Sequence, residues 1–203
     1  MENGPNRLVA SIRRHPALRD FVYRLGRRRA AIIVRWIRPC LRPGDLILAV
    51  GAGTGTVTEL LRRRWDTTPL DIEDLTFVPG LKPVLYDGSR MPFPDRAFDV
   101  AVVSTVLHHV TDADAILREA ARVARRVIVV EDVVSGRANR FATYALDSLL
   151  TLEFAGHPHT NRSDAGWRAT FRRLGLEVRR AEYRSSLLVL RHALYCLESA
   201  PSD

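Results

Sequence analysis

The stretch Asp45–Val57, "DLILAVGAGTGTV", places a run of apolar residues directly before three closely spaced glycines. The run Leu46–Val50 is continuous, which is typical of a strand that is buried on both faces of a parallel sheet. Gly51, Gly53 and Gly55 then permit a sharp turn and let a ligand approach where a Cβ atom would clash. In open α/β sheets, ligands bind beyond the carboxyl ends of the strands. The stretch therefore predicts a strand, a ligand-binding turn and a following helix.

The spacing of these glycines excludes two common phosphate-binding motifs. A dinucleotide-binding turn requires G-x-G-x-x-G, and Thr56 stands where its last glycine would be. A Walker-type phosphate loop requires G-K-[ST] after the turn, and that sequence is missing here. The turn alone is too general to identify a ligand, so the identification depends on residues at the ends of other strands.

Apolar and β-branched runs predict several more strands along the chain. Before the C-terminal region, these runs fall at 67–72, 82–88, 99–107 and 126–132. Two closing strands, 176–184 and 187–197, are joined by a turn so short that they must be antiparallel neighbours. Because helices are predicted between most of these strands, the pattern indicates an α/β sheet with right-handed crossovers.

The predicted helices begin and end at recognisable residues. Ahead of the glycine turn, apolar residues at helical spacing predict two helices that are separated at Gly26. Thr111 and Asp114 form a capping-box pattern before a helix that extends to about residue 124. Ser163 is expected to cap a helix over 164–174.

Composition and charge limit the classes of protein that the chain can represent. Hydrophobic residues make up 46% and charged residues 27%, and no apolar run has the length of a membrane span. The N-terminal stretch lacks the apolar core of a signal peptide, so we expect a cytoplasmic protein. Cys40 and Cys196 lie far apart without metal-ligand spacing, which predicts neither a disulfide nor a zinc site.

The positive charge is concentrated at one end of the chain. Residues 1–45 contain eleven arginines and three acidic residues, a net charge of +8, which is the net charge of the whole chain. Such a basic face attracts anionic lipid, nucleic acid or an acidic substrate, although a solvated helix face in an arginine-rich protein looks the same.

Two acidic residues and a later motif give the glycine turn its context. Asp71 ends the second predicted strand and Asp87 ends the third; "PFPDRAFD" and "VLHHV" follow in that order. In this order and at these spacings, the chain resembles the class I S-adenosylmethionine-dependent methyltransferases, specifically their small-molecule branch. The resemblance extends from Leu46 to about Val134, which is under half of the chain.

The resemblance implies a particular fold and domain organisation. The fold is an α/β, Rossmann-like doubly wound sheet of seven strands, mostly parallel with an antiparallel last strand, plus an N-terminal helical cap. We expect a single domain over residues 1–203. Its parts are the basic helices 1–44, the cofactor-binding half 45–134, and the acceptor-side insertion with the closing helix and strands 135–203.

The resemblance also implies the cofactor S-adenosyl-L-methionine and the residues that bind it. Asp71 would hold the ribose, and Asp87 would lie at the adenine end. The implied cofactor-binding residues are Val50, Gly51, Ala52, Gly53, Gly55, Asp71, Ile72, Asp87, Gly88 and Ser104. The chain departs from the family at Ala49, where an acidic residue usually helps to order the turn or the amino group of the cofactor.

Histidines are the candidates for chemistry at the acceptor. His108 and His109 follow the fourth predicted strand, and histidine is suited to take a proton near neutral pH. A structural histidine that bonds to the backbone is the alternative. His157, His159 and Tyr144 are candidate substrate contacts, and we expect no metal because no further ligand has matching spacing.

These residues favour a methyltransferase that acts on a small-molecule O or C acceptor, either lipophilic or a secondary metabolite. The alternatives are an RNA or protein methyltransferase and an inactive cofactor-binding scaffold. Enzymes that methylate nucleobase amines resemble one another in an [NDS]-P-P-[YF] motif, whereas this chain has "STVLHH" there. We therefore expect no nucleic-acid partner and a weak membrane-surface contact through the basic N-terminus, and the oligomeric state stays open.

Overall fold

The structure is a computed structural model that describes residues 12, 14–133, 162–186 and 190–199. The chain divides into two compact units, residues 1–90 and 91–203. No helix in the described ranges is long and apolar enough to cross a membrane.

The first unit consists of helices and short parallel strands. In chain order it contains α1 (Pro16–Ile37), a 3-10 turn (Arg38–Cys40), β1 (Leu46–Val50), α2 (Thr56–Leu61), β2 (Asp66–Asp71) and β3 (Val84–Leu85). Strand β1 is parallel to β2, and β2 is parallel to β3. The apolar run of β1 supplies the fully buried Ile47 and Leu48, as expected of a strand that is covered on both faces.

Helix α1 is continuous through Gly26, so the predicted break at this residue is wrong. A Cβ atom on Gly26 would lie 3.4 Å from Cγ2 of Thr56. Glycine therefore serves close packing between α1 and α2 here instead of ending a helix. The hydroxyl of Tyr23 donates to the carboxylate of Glu59 at 3.0 Å and joins the same two helices.

Pro69 lies inside β2, although proline donates no hydrogen bond to a sheet. The carbonyl of Leu70 accepts hydrogen bonds from the β1 side, while the carbonyl of Asp71 accepts one from Tyr86 on the β3 side. Because the backbone alternates, Pro69 faces the β3 side, and β3 begins only at Val84, opposite Leu70. The proline thus occupies a position where no strand partner needs its N–H.

The second unit contains most of the sheet. In chain order it comprises β4 (Phe98–Ser104), α3 (Ala113–Val123), β5 (Ala124–Asp132), α4 (Asp164–Arg173), β6 (Leu176–Ser186) and β7 (Leu190–Ser199). Strand β4 is parallel to β5, whereas β7 is antiparallel to both β5 and β6. The strand order of the seven-stranded sheet is β3-β2-β1-β4-β5-β7-β6. The predicted mostly parallel sheet with an antiparallel last strand is confirmed.

Two predicted element ends are wrong by a few residues. Strand β4 ends at Ser104 and not at residue 107, because Thr105 has a φ of 54° and turns the chain out of the strand. The N-cap of α3 is Asp112 and not Thr111: the Asp112 carboxylate accepts from the backbone N–H of Ala115 at 2.9 Å. Asp114 forms ion pairs with Arg162 and Arg173 instead of completing a capping box.

The predicted cap of α4 is confirmed, as is the end of that helix. The hydroxyl of Ser163 accepts from the N–H of Gly166 at 3.1 Å, which satisfies one free donor of the first turn. Gly175 has a φ of 67°, the left-handed conformation that ends many helices.

Arg122 of α3 fixes the proline-rich segment that precedes β4. Its guanidinium donates to the carbonyls of Met91 and Phe93 and to the carboxylates of Glu119 and Asp95. The two carboxylates raise the pKa of Arg122 above its usual value. The pair of Glu119 and Arg122, one helical turn apart, is therefore part of a larger, half-buried network.

The expectation of free cysteines is wrong. Cys40 and Cys196 are both disulfide-bonded. Their separation in the sequence gave no signal of this state, because sequence distance does not report distance in space.

Candidate functional site

The glycine turn after β1 has the backbone conformation that its sequence requires. Gly51, Gly53 and Gly55 have φ values of 68°, 50° and 80°, a region that residues with side chains rarely adopt. The N–H groups of Gly51 and Ala52 donate to the carbonyl of Leu70 at 2.9 and 3.1 Å. The turn is therefore bonded to the carboxyl end of β2.

Asp71 makes the most informative contact of this turn. One oxygen of its carboxylate accepts from the N–H of Gly53 at 2.7 Å, and the other accepts from the N–H of Ile72 at 2.7 Å. Each carboxylate oxygen accepts more than one hydrogen bond, so both retain capacity for the hydroxyl groups of a ribose. Asp71 thus orders the glycine turn and is placed to bind a ligand beside it.

The glycines of the turn have different surroundings. A Cβ atom on Gly53 would meet no protein atom within 4 Å, so open space lies beside this residue. A Cβ atom on Gly55 would lie 3.3 Å from side-chain atoms of Thr76, Val78 and Leu81. Gly55 is therefore needed for packing, whereas Gly53 leaves room for a ligand to approach the backbone.

The predicted adenine end of the site is formed by Asp87, Gly88 and Ile72. The Asp87 carboxylate accepts from the hydroxyl of Ser89 at 2.6 Å and from its N–H at 2.9 Å, which lowers the pKa of Asp87. A Cβ atom on Gly88 would lie 3.5 Å from Cγ2 of Ile72, whose side chain is 60% exposed. An acceptor group therefore lies close to an exposed apolar surface, which suits the edge and the face of a purine base.

Ala49, where the chain departs from the family pattern, is 5% exposed within β1. Its side chain offers no polar group that could order the turn. In this structure the carbonyl of Leu70 and the carboxylate of Asp71 bind the turn instead. The missing acid thus leaves the conformation of the turn supported by its neighbours on β2.

The second unit has its own candidate residues, which begin where β4 ends. The hydroxyl oxygen of Ser104 is buried and has no hydrogen-bond partner among the described residues. The next residue, Thr105, has a φ of 54°, which is a genuine outlier for a β-branched side chain. Strained backbone of this kind is concentrated at functional sites, because the surrounding structure must stabilise it.

Glu131 of β5 holds the segment that follows this strained residue. One oxygen of its carboxylate accepts from the N–H groups of Val106 and Leu107 at 2.8 and 2.7 Å. The other lies 2.6 Å from Nδ1 of His108. Glu131 and His108 are 0% and 1% exposed. The tautomer of His108 that carries its proton on Nδ1 would donate to this carboxylate oxygen.

The structure gives the two adjacent histidines different environments. His108 is buried, and its Nδ1 lies 2.6 Å from the carboxylate of Glu131. His109 is half-buried, and its ring centre lies 4.0 Å from that of His108. The backbone N–H of His109 donates to the carbonyl of Val106 at 3.0 Å. The His108–Glu131 pair therefore supports the turn that carries His109.

Sequence reasoning missed Glu131. The available signal was its place in "RVIVVED", where an acid follows a run of apolar residues. A carboxylate is almost never fully buried unless it is paired. An acid that ends a buried strand therefore has a partner, but the strand alone does not say which one.

Three predicted substrate contacts, Tyr144, His157 and His159, lie outside the described residues. Within the described ranges, no group of three or more histidine, cysteine or acidic side chains is arranged to hold a metal ion.

Comparison with known proteins finds similarity over the middle of the chain. Residues 48–127 match a family described as a methyltransferase domain. A ubiquinone/menaquinone biosynthesis C-methyltransferase of Xanthomonas oryzae pv. oryzae is 33% identical over 101 residues, which are 42% of this chain and 40% of that protein. The Burkholderia mallei protein of the same name is 32% identical over 111 residues, 45% of this chain and 44% of that protein. The chain spans about two fifths of the length of these relatives.

Solved structures share the fold at lower identity. A methyltransferase of Methanosarcina mazei, described as S-adenosylmethionine-dependent, has a TM-score of 0.63 at 20% identity over 82% of this chain and 97% of its own. The magnesium protoporphyrin IX methyltransferase of Synechocystis, solved with bound S-adenosylhomocysteine, has a TM-score of 0.61 at 17% identity over 86% and 84%. The [4+2]-cyclase SpnF has a TM-score of 0.64 at 16% identity over 87% and 81%.

The matched segment contains the glycine turn, β2, β4 and the first four residues of β5. Over residues 48–127 the chain is therefore similar to a methyltransferase domain, and solved S-adenosylmethionine-dependent methyltransferases share its fold. The resemblance that the motifs implied is confirmed.

The contact between Asp71 and Gly53 predicts a loss of cofactor binding on substitution. In Asp71→Asn an amide N–H₂ replaces one acceptor oxygen, so one backbone N–H or one ribose hydroxyl loses its partner. We expect S-adenosylhomocysteine to bind at least about tenfold more weakly in isothermal titration calorimetry. Asp66→Asn, an exposed carboxylate at the opposite end of β2, is the matched control. Equal affinities of Asp71→Asn and wild type would contradict the prediction.

The buried carboxylate of Glu131 predicts a large effect on stability. In Glu131→Gln, one of its three donor groups faces an amide N–H₂ instead of an oxygen. We expect the free energy of unfolding in urea to fall by about 3 kcal/mol. Glu177→Gln changes a half-exposed glutamate of β6 in the same way and should leave the unfolding midpoint nearly unchanged. A wild-type midpoint for Glu131→Gln would show that the carboxylate does not support the turn.

Proposed function

We propose that this protein is an S-adenosylmethionine-dependent methyltransferase that acts on a small, lipophilic O or C acceptor. The observation that carries the proposal is the 2.7 Å hydrogen bond between the Asp71 carboxylate and the N–H of Gly53, beside open space. This contact joins the carboxylate that we assign to the ribose to a glycine with open space beside its backbone. The family match over residues 48–127 supports the same conclusion.

The residues of the first unit fit the chemistry of this cofactor. Asp71 would accept hydrogen bonds from the ribose hydroxyls, and Asp87 would accept one from the adenine amino group. The exposed side chain of Ile72 would contact the base, next to Gly88. The methionine part would lie along the turn at Gly51 and Gly53. When bound, S-adenosylmethionine supplies an electrophilic methyl group.

The same resemblance assigns four further residues to the cofactor. Val50, Ala52 and Gly55 would support the turn from its flanks, and Ser104 at the end of β4 would add a hydroxyl group. The protein's task in such a transfer is to align an acceptor and to remove a proton where the acceptor carries one. His109 would take that proton, while His108 would act through its bond to Glu131. Tyr144, His157 and His159 would contact the acceptor.

The names of the curated relatives support a lipophilic acceptor. Those proteins are C-methyltransferases of ubiquinone and menaquinone biosynthesis. An aromatic ring with hydroxyl groups offers both a nucleophilic carbon and an acidic oxygen. A hydroxylated aromatic molecule with an apolar tail is therefore the acceptor class that we propose.

Two observations bear on the reaction and on the cellular location of this protein. The [4+2]-cyclase SpnF shares this fold, so the fold alone does not determine the reaction. A cytoplasmic location also belongs to the proposal, but the disulfide-bonded state of Cys40 and Cys196 counts against it, because disulfides are rare in reducing compartments.

The cofactor is the first part of the proposal to test. We expect S-adenosylmethionine and S-adenosylhomocysteine to bind with dissociation constants in the micromolar range by isothermal titration calorimetry. Methyl transfer is then measured with tritium-labelled cofactor and a panel of hydroxylated aromatic acceptors with and without an apolar tail. The absence of binding at about 1 mM cofactor would overturn the proposal. Binding without transfer to any acceptor would favour a scaffold.

A proton-accepting role of His109 predicts a separation of binding and turnover. His109→Ala should bind the cofactor as wild type does and lower turnover at least about tenfold, since general-base catalysis contributes that much or more. His15→Ala, an exposed histidine before α1, is the control. Wild-type turnover of His109→Ala would remove this residue from the mechanism.

A further inference from the structure

We propose that α1 docks this protein onto an anionic membrane surface, with its apolar side chains inserted between the lipid headgroups. Four large apolar side chains of this helix face solvent. They are Leu18, Phe21, Leu25 and Ile32, with exposed fractions of 44%, 63%, 49% and 59%. The inference is independent of the proposed function, because none of these four side chains has a part in the proposed binding of cofactor or acceptor.

The four side chains form one stripe. Their spacings of three, four and seven residues bring them to the same side of a helix with 3.6 residues per turn. The residues that α1 buries are Ala30, Ile33, Trp36 and Ile37, all within its last eight residues. Trp36 lies about five turns from Leu18 on the same side of the helix, so the stripe adjoins the buried side. Its own four side chains are nevertheless exposed and have no partner among the described residues.

Arginines line both sides of this stripe. Arg28 and Arg29 lie one turn beyond Leu25 and one turn before Ile32, and both are exposed. Arg24 and Arg35 are exposed too, and none of these four arginines forms an ion pair with a described residue. The acid in the helix, Asp20, is already paired with Arg19. The face that carries the stripe is thus apolar along its centre and positive along its margins.

This combination fits an anionic lipid surface better than a nucleic acid. A nucleic-acid backbone would bind the guanidinium groups but would not bury the apolar side chains of Leu18, Leu25 and Ile32. A helix with apolar residues on one side and arginines beside them lies in the membrane interface, with the apolar side inserted and the cations at the headgroups. Each arginine near such a surface adds attraction that salt weakens.

A second copy of this chain is the less favourable occupant. Two such helices packed face to face would bring Arg28 and Arg29 of each copy close to those of the other. Like charges at an interface oppose association unless acidic groups lie between them. The structure provides no unpaired acid along this face of the helix, within the described residues.

Vesicle flotation tests the proposal directly. Wild-type protein should float with phosphatidylcholine vesicles that contain about 30% phosphatidylglycerol and not with pure phosphatidylcholine. Phe21→Ser/Ile32→Ser should lower the partition coefficient at least about tenfold, because two apolar side chains no longer insert. Arg28→Gln/Arg29→Gln should lower it about thirtyfold at low salt. Circular dichroism checks that both variants keep their fold.

A control variant and the contrary outcomes distinguish a membrane from the other possible partners of this helix. Arg64→Gln/Arg172→Gln removes two exposed arginines outside α1 and should bind vesicles as wild type does. Equal losses in both arginine variants would indicate general attraction of a basic protein and overturn the proposal. So would a lack of wild-type flotation, binding to single-stranded RNA without binding to vesicles, or a dimer in solution that Phe21→Ser/Ile32→Ser dissociates. Calorimetry with the cofactor is measured on the same samples and reports separately on the proposed function.

Discussion

The hydrogen bond between Gly53 and Asp71 determines what the first unit can do. The turn contains three left-handed glycines at alternate positions, and these residues have little conformational preference of their own. Glycine also loses more conformational freedom on ordering than any other residue. The carboxylate at the end of β2 offsets this cost by binding the middle of the turn. The same carboxylate keeps acceptor capacity for a ligand. One acidic residue thus orders the turn and faces the space beside it.

A second buried carboxylate plays a comparable part in the other unit. Glu131, near the carboxyl end of β5, binds two backbone N–H groups and the ring of His108. These groups belong to the three residues that directly follow the strained Thr105. Burying this carboxylate without partners would be costly, and its three donors remove that cost. In each unit an acid at a strand end therefore stabilises a turn that the backbone alone would not hold.

Sequence patterns predicted the sheet well because each strand carries its own signal. The apolar runs of β1, β4 and β5 identify buried strands, and the short link before β7 requires an antiparallel pair. The same reasoning failed at Gly26 and Thr111. A glycine within a helix and a threonine before one have more than one use, and the choice depends on neighbours that are distant in the chain, such as Thr56 and Arg162.

By itself, the sequence determined the resemblance to methyltransferases, the order of strands and helices, and the residues that surround the glycine turn. Those properties follow from local periodicity and from spacings that survive at low identity. Only the tertiary structure decided which hydrogen-bond partner each acid takes. It also decided that Gly55 packs against side chains while Gly53 faces open space, and that α1 exposes an apolar stripe. These features depend on distances between segments far apart in the chain, which one-dimensional patterns do not contain.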